Sequence, residues 1–173
     1  KVKTAEKNME KDEIIDSIHM LKKSVESTMA ELRESIYGKR FKDNLNTFIH
    51  TIYAYMEEIE RLNDVRIDVD LDEQSDYIPI AQKIALYRVV CESTNNAIKH
   101  GKAKNIEIEL KLKSDTIELK VEDDGGGFSK EDKNFTEGNG LRNMRSIAVL
   151  LKGYLSIVHS DKSGVRVKLS LPR

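Results

Sequence analysis

Several common classes of protein are excluded by what this chain lacks. It has a single cysteine, Cys91, so no disulfide framework holds it together, and a lone thiol on an apolar helix face suits a reducing compartment. No apolar run approaches the roughly 20 residues of a membrane-spanning helix, and no signal peptide is visible. Neither charge sign is in excess: 29 basic residues stand against 30 acidic ones, a formal net charge of −1. That balance gives no electrostatic footprint for nucleic acid and no polybasic patch for a membrane surface. Gly-x-x-x-x-Gly-Lys-(Ser/Thr) is absent, which removes the P-loop class.

What is present is globular material. Of 173 residues, 39% are hydrophobic and 34% charged, enough for one core in one or at most two small domains. The chain opens Lys1-Val2-Lys3 without a methionine and is read as a piece of a longer protein.

Three stretches carry chemistry. In the first, Ile80, Ile84, Tyr87 and Cys91 recur at helical spacing after Pro79, which suits a first helical position. Gly101 suits a C-terminal cap, with Lys99 and His100 in the last turn, so one helix is expected from about Pro79 to His100. Glu92, Asn96 and His100 fall at i, i+4 and i+8 on it. That polar stripe either lines a cleft or is a solvated face. In the second, Ile117, Leu119 and Val121 alternate with polar residues as in a strand and run into Glu122-Asp123-Asp124-Gly125-Gly126-Gly127-Phe128. The glycines permit a close backbone approach, and Asp123 at the strand end can accept a hydrogen bond from an amino group. Alone, this reads equally as an acidic turn. In the third, Gly138-Asn139-Gly140-Leu141 precedes a helical pattern of Leu141, Met144, Ile147, Ala148 and Leu151. The free N–H groups and dipole of a helix N-terminus welcome an anion.

In this order and spacing the three stretches resemble the N, G1 and G2 boxes of the GHKL superfamily. The likeness is to sensor histidine kinases of the DesK/NarX/LiaS type, whose pattern Glu-Ala-Leu-Thr-Asn-Ala-x-(Arg/Lys)-His-(Ala/Ser/Gly) is matched by residues 92–101. Asp-Asn-Gly-x-Gly-Phe corresponds to residues 123–128, and Gly-x-Gly-Leu-x-x-Met-x-x-Arg to 138–147, with Ile147 where the final Arg often stands. The resemblance covers about residues 65–172, and more weakly 30–40. It implies an α+β chain: a two-layer α/β sandwich, the Bergerat fold, behind an amphipathic dimerisation helix. Expected domains are 1–40, the end of a dimerisation hairpin, and 41–173, the ATP-binding catalytic domain.

The resemblance also implies a chemistry. Asp123 accepts from the adenine amino group, and the turn with Gly125 and Gly127 lets the base lie against backbone. Asn96 offers its carbonyl oxygen to Mg²⁺. Gly138, Gly140 and Leu141 hold phosphate oxygens at the helix N-terminus, and Lys99 and His100 neutralise phosphate charge. Arg142 and Arg145 are further phosphate or partner contacts, or solvated side chains. Glu92 polarises water in ATP-hydrolysing relatives and assists transfer to histidine, or orients the site, in kinases. The expected activity is histidine kinase with Mg-ATP as donor, in a cytoplasmic domain of a bacterial sensor held at a membrane only through upstream segments. It would homodimerise through the N-terminal helix and signal to a response regulator, with no role for nucleic acid. The alternatives are a degenerate nucleotide-binding or dimerisation module, and a GHKL ATPase or anti-sigma-type kinase. Two departures bear on affinity. Val165 follows Gly164 where relatives have Thr, which removes a hydroxyl, and Asp124 in place of Asn adds a second acid beside Asp123.

The remaining elements follow from periodicity. Ile14, Ile18, Leu21, Val25, Thr28 and Leu32 form a bundle-facing stripe that needs a partner. Residues 29–40 resemble the end of the second dimerisation helix, with Lys39 in place of Leu. His19 has no acid after it and sits only about four turns from the helix end, so it is read as structural and the phospho-acceptor as lying outside the chain. Leu45 to about Asn63 is a helix capped by Asp43 or Asn44. Val65 to Leu71 is a strand with Asp68 and Asp70 on its wet face. Residues 105–123 make a hairpin, 129–137 a loop that in the resembled family is an ATP lid, and two strands close the chain around a turn at 161–164.

Overall fold

The chain divides into two compact units, Lys1–Leu45 and Asn46–Arg173. A computed structural model of the protein describes residues 47–127, 139–161 and 163–173, all within the second unit. The expected N-terminal helix, His19, the lid, Phe128 and Gly138 lie outside the described residues.

Helix α1, Phe48–Leu62, begins at Thr47, whose side chain accepts a hydrogen bond from the His50 N–H at 3.2 Å. The expected caps, Asp43 and Asn44, are therefore not the start of this helix. A threonine hydroxyl can also cap, and Thr47 directly precedes Phe48, which is buried. Phe48, Ile52 and Met56, one α-turn apart, form the buried stripe. Strand β1, Arg66–Leu71, is an edge strand covered by α1: Glu60 accepts from the Ile67 N–H at 2.6 Å, and the Tyr53 hydroxyl donates to the Val69 carbonyl at 3.0 Å. A short 3₁₀ helix, Glu73–Tyr77, follows, with Asp72 accepting from the Gln74 N–H. Five residues are too few for periodicity to reveal, and this element has no sequence-based prediction.

Helix α2, Ile80–Asn96, starts one residue later than expected, with Pro79 as its cap rather than its first turn. It buries Leu86, Val89 and Val90 completely, whereas Ile80, expected on the apolar face, is exposed. Strands β2, Asn105–Leu112, and β3, Thr116–Asp123, form the predicted hairpin. Helix α3, Asn139–Leu150, leads to β4, Tyr154–His159, and β5, Val165–Pro172, closes the sheet.

The sheet order is β1-β2-β3-β5-β4, parallel only between β1 and β2 and antiparallel elsewhere. Its apolar rungs are set by register. Ile108, Val121 and Val167 lie side by side, as do Leu110, Leu119 and Leu169. These side chains are buried, as are Met144 and Ala148 of α3, while Glu118, Lys120 and Lys168 occupy the opposite, wetter face. Each such aliphatic side chain contributes roughly 1.5–3 kcal/mol by leaving water. The cross-strand pair Lys120–Glu109, 3.1 Å, is partly solvated and contributes less than about 1 kcal/mol. Helices on one face of a mixed five-stranded sheet make the expected two-layer α/β sandwich. Among the described residues no helix is long and apolar enough to cross a membrane.

Candidate functional site

The last core-facing position of β3 is an acid. Ile117, Leu119 and Val121 point into the core, and the same alternation carries Asp123 inward at the strand end, where it is 6% exposed. Both carboxylate oxygens are held by backbone. The Gly125 N–H donates to Oδ1 at 2.8 Å and the Val165 N–H to Oδ2 at 3.3 Å. Burial pushes this carboxyl above its ordinary value, and the two N–H donors oppose the rise without cancelling it.

The surrounding backbone is close enough that only glycine fits. A β-carbon on Gly125 would stand 2.6 Å from the Gly101 carbonyl oxygen, and one on Gly164 would overlap the Asp123 carbonyl and carboxylate. Gly127 has φ +67°, a left-handed conformation that favours glycine. Asp124 turns away. Its carboxylate accepts from the Lys104 and Asn105 backbone N–H groups, at 2.8 and 2.9 Å, and from the Asn105 carboxamide at 2.7 Å. Burial alone would raise its pKa, but these hydrogen bonds outweigh burial and hold it low. The feared second acid is thus a clamp on the start of β2.

At Ala97 helix α2 gives way to a single π turn, Ala97–Gly101. Such turns are rare and cluster at functional sites. The turn ends at Lys102, left-handed at φ 55°, so Lys102 rather than Gly101 makes the capping conformation. Gly101 serves another purpose: its carbonyl accepts from the Gly126 N–H at 2.7 Å, stitching the end of α2 to the glycine turn. Glu92 and Asn96 are one α-turn apart and half-buried, with the Asn96 Nδ2 3.5 Å from Glu92 Oε1, whereas Lys99 and His100, within the π turn, are exposed. The neighbouring Asn95 points to α1, where its carboxamide meets the Tyr55 hydroxyl at 3.3 Å.

Gly140, in the first turn of α3, lies against Glu92 so closely that a methyl group there would overlap the carboxylate. The N-terminus of α3 therefore abuts the α2 stripe. Leu141 follows, half-buried. Arg142 is exposed, and Arg145 approaches the Leu155 carbonyl at 3.5 Å. Cys91, expected to be buried, is only partly so. Sequence reasoning missed Gly164 and the Val165 N–H as partners of Asp123. The Ser163-Gly164 pair signalled a turn, but nothing in it names the carboxylate that the turn meets.

A buried, backbone-held carboxylate beside glycine turns, with a polar helix stripe and a helix N-terminus at its margin, can accept a hydrogen bond at one end and meet an anion at the other, on a two-layer sandwich. Residues 81–173 match the family described as histidine kinase-, DNA gyrase B-, and HSP90-like ATPase, and the chain belongs to that family. It is similar to the signal transduction histidine-protein kinase/phosphatase DegS of Brevibacillus brevis, with 30% identity over 93% of this chain and 42% of the relative. The sensor protein VraS of Staphylococcus saprophyticus shares 25% identity over 90% of this chain and 44% of its own length. Among solved structures, the blue-light activated histidine kinase of Erythrobacter litoralis EL346 superposes with a TM-score of 0.63 at 20% identity, over 78% of this chain and 44% of that one. The chain thus spans less than half the length of these relatives. The fold and the ATPase domain of the histidine kinase type stand as expected.

Proposed function

We propose that this domain binds Mg-ATP and that, in the longer protein, it donates the γ-phosphoryl group to a histidine on a dimerisation helix. The observation that carries this reading is Asp123: a carboxylate buried at a strand end, both oxygens fixed by backbone N–H groups, in a cradle where Gly125 and Gly164 leave no room for side chains. Buried polar groups of this kind discriminate by hydrogen bond, here toward the exocyclic amino group of adenine. Gly125 and Gly127 leave backbone for the base to lie on. Gly140 and Leu141 present the helix N-terminus to the phosphates, the role also expected of Gly138 from the sequence.

The residues present fit a magnesium ion. With the Asn96 Nδ2 toward Glu92, its carbonyl oxygen is the acceptor left to turn toward a hard cation. Among the described residues no group of three His, Cys, Asp or Glu side chains could hold a metal by itself, so phosphate oxygens and water would supply the remaining ligands. The ion, when bound, neutralises charge on the phosphates. Lys99 is exposed and adds only screened positive charge at this margin, where His100 is exposed beside it. Glu92, one turn from Asn96 and against Gly140, would orient the incoming nucleophile or accept its proton. Residues 1–40 would form the dimer, and a response regulator would be the downstream partner of a cytoplasmic domain whose parent is anchored by upstream segments.

Two measurements test the reading. A fluorescent ATP analogue is titrated against the wild type and Asp123→Asn. The protein is then mixed with a polypeptide carrying an acceptor helix and γ-labelled ATP. An analogue that binds both proteins alike denies the site, and binding without any labelled histidine denies the kinase.

A further inference from the structure

On the face of the sheet opposite Asp123, one acid is treated unlike its neighbours. Glu118 and Lys120 of β3 are partly solvated, but Glu122, adjacent to Asp123 in the chain and pointing the other way, is 4% exposed. Arg166, its register partner on β5, donates to Glu122 Oε1 at 2.7 Å and to Asp161 at 2.9 Å. The Ser160 hydroxyl donates to the same Glu122 oxygen. Arg166 holds the Glu122 carboxyl low, with Ser160 adding to the effect. Taking a carboxylate and a guanidinium out of water is costly, and a hydrophobic pair would often serve stability as well.

What the pair fixes is register beside the site. Arg166 immediately follows Val165 and Gly164. Val165 supplies the N–H on Asp123 Oδ2, and Gly164 lies against the Asp123 backbone. The turn delivering them contains Ser163 at φ 79°, a conformation non-glycine residues rarely adopt, closed by the Ser160 N–H on the Gly164 carbonyl at 2.9 Å. A β-carbon on Gly127 would stand 3.0 Å from this turn at both His159 and the Ser163 carbonyl. A turn that adopts an unfavoured conformation and must approach a carboxylate this closely needs an anchor on its far side.

We infer that Arg166, held by Glu122 and Asp161, with Ser160 on the same Glu122 oxygen, is a positioning residue for base recognition: it keeps Gly164 and Val165 seated on Asp123 and so sets the direction in which that carboxylate accepts. The inference rests on the proposed role of Asp123. Without the anchor the start of β5 relaxes from β3, the 3.3 Å bond from Val165 lengthens, and Oδ2 loses the donor that orients it. The triphosphate contacts, on α2 and α3, are untouched.

The test compares ATP with inosine triphosphate, which carries an oxo group where adenine has its amino group. Binding of both, with magnesium, is measured by calorimetry on the wild type, Arg166→Met and Glu122→Gln, with thermal unfolding monitored in parallel. The wild type is expected to prefer ATP. In folded Arg166→Met the preference falls about tenfold, the effect of weakening one hydrogen bond to a charged group, and inosine triphosphate binding is nearly unchanged. Glu122→Gln, which keeps the shape and loses the charge, moves in the same direction by less. A preference that survives intact in folded variants, or equal weakening of both nucleotides, overturns the positioning role alone. A wild type without preference overturns the assignment of Asp123 itself, and the positioning role with it. Should Arg166→Met fail to fold, Glu122→Gln decides by the same criteria.

Discussion

The carbonyl oxygen of Gly101 lies 2.6 Å from where a Gly125 side chain would begin, and Gly101 also accepts from the Gly126 N–H at 2.7 Å. This backbone-to-backbone contact joins the helix that carries Glu92 and Asn96 to the turn that fixes Asp123. Gly125→Ala is expected to destabilise the domain by about 1–3 kcal/mol through overpacking and to weaken nucleotide binding. Gly126→Ala, whose β-carbon would be 3.8 Å from the same oxygen, is expected to stay within about 0.5 kcal/mol of wild type. Thermal unfolding of both variants checks the contrast, and equal effects would refute the contact as the cause.

Asp123→Asn tests the carboxylate directly. Both oxygens accept backbone N–H groups, so a carboxamide must turn its own N–H₂ toward one of those donors or swing out of the cradle. Affinity for an ATP analogue should fall by about 10- to 100-fold, the worth of a hydrogen bond to a charged group. A fluorescence titration measures it.

The same group sets a pH dependence. Burial raises the Asp123 pKa from its usual 3.8, so its acceptor form is lost on acidification earlier than for an ordinary aspartate. ATP-analogue binding should weaken as pH falls into the acidic range, with a midpoint above 3.8. This slope should be absent in Asp123→Asn, where only the weaker, flat binding remains.

Glu122 works with the opposite sign. Its pKa is lowered from the usual 4.5, chiefly by the Arg166 hydrogen bond, so its stabilising contribution is full above the unfolded value and lost as pH falls through the lower folded one. Thermal unfolding from neutral pH downward should show stability declining below about 4.5. Glu122→Gln should start lower at neutral pH and decline less over that range.

Glu92 is expected to act on transfer more than on binding. Glu92→Gln keeps the hydrogen-bonding length toward Asn96 and removes the base. Transfer of label to an acceptor helix should drop by about 10²–10⁴-fold with ATP-analogue affinity within a few fold of wild type. A fall in affinity as large as the fall in transfer would place Glu92 among the binding groups instead.

Among the described residues, residue order alone determined the succession of the longer helices and strands, the alternation that wets one face of the sheet, and the stretches that meet in the site. These are local signals, since a period of two or of about 3.6 residues is written in neighbouring positions. Tertiary structure decided which side chains of those stretches meet. Periodicity does not announce the π turn at Ala97, and the bond from the Gly126 N–H to its Gly101 carbonyl exists only once that turn packs against the glycine turn. Asp123 and Asp124 look alike in sequence, yet one is buried under β5 and the other clamps β2, because strand pleating sends neighbours to opposite sides. Gly164 and Arg166 come from the far end of the chain, and their contacts with Asp123 and Glu122 exist only once β5 pairs with β3. Local periodicity is blind to such pairing because it depends on residues some forty positions apart.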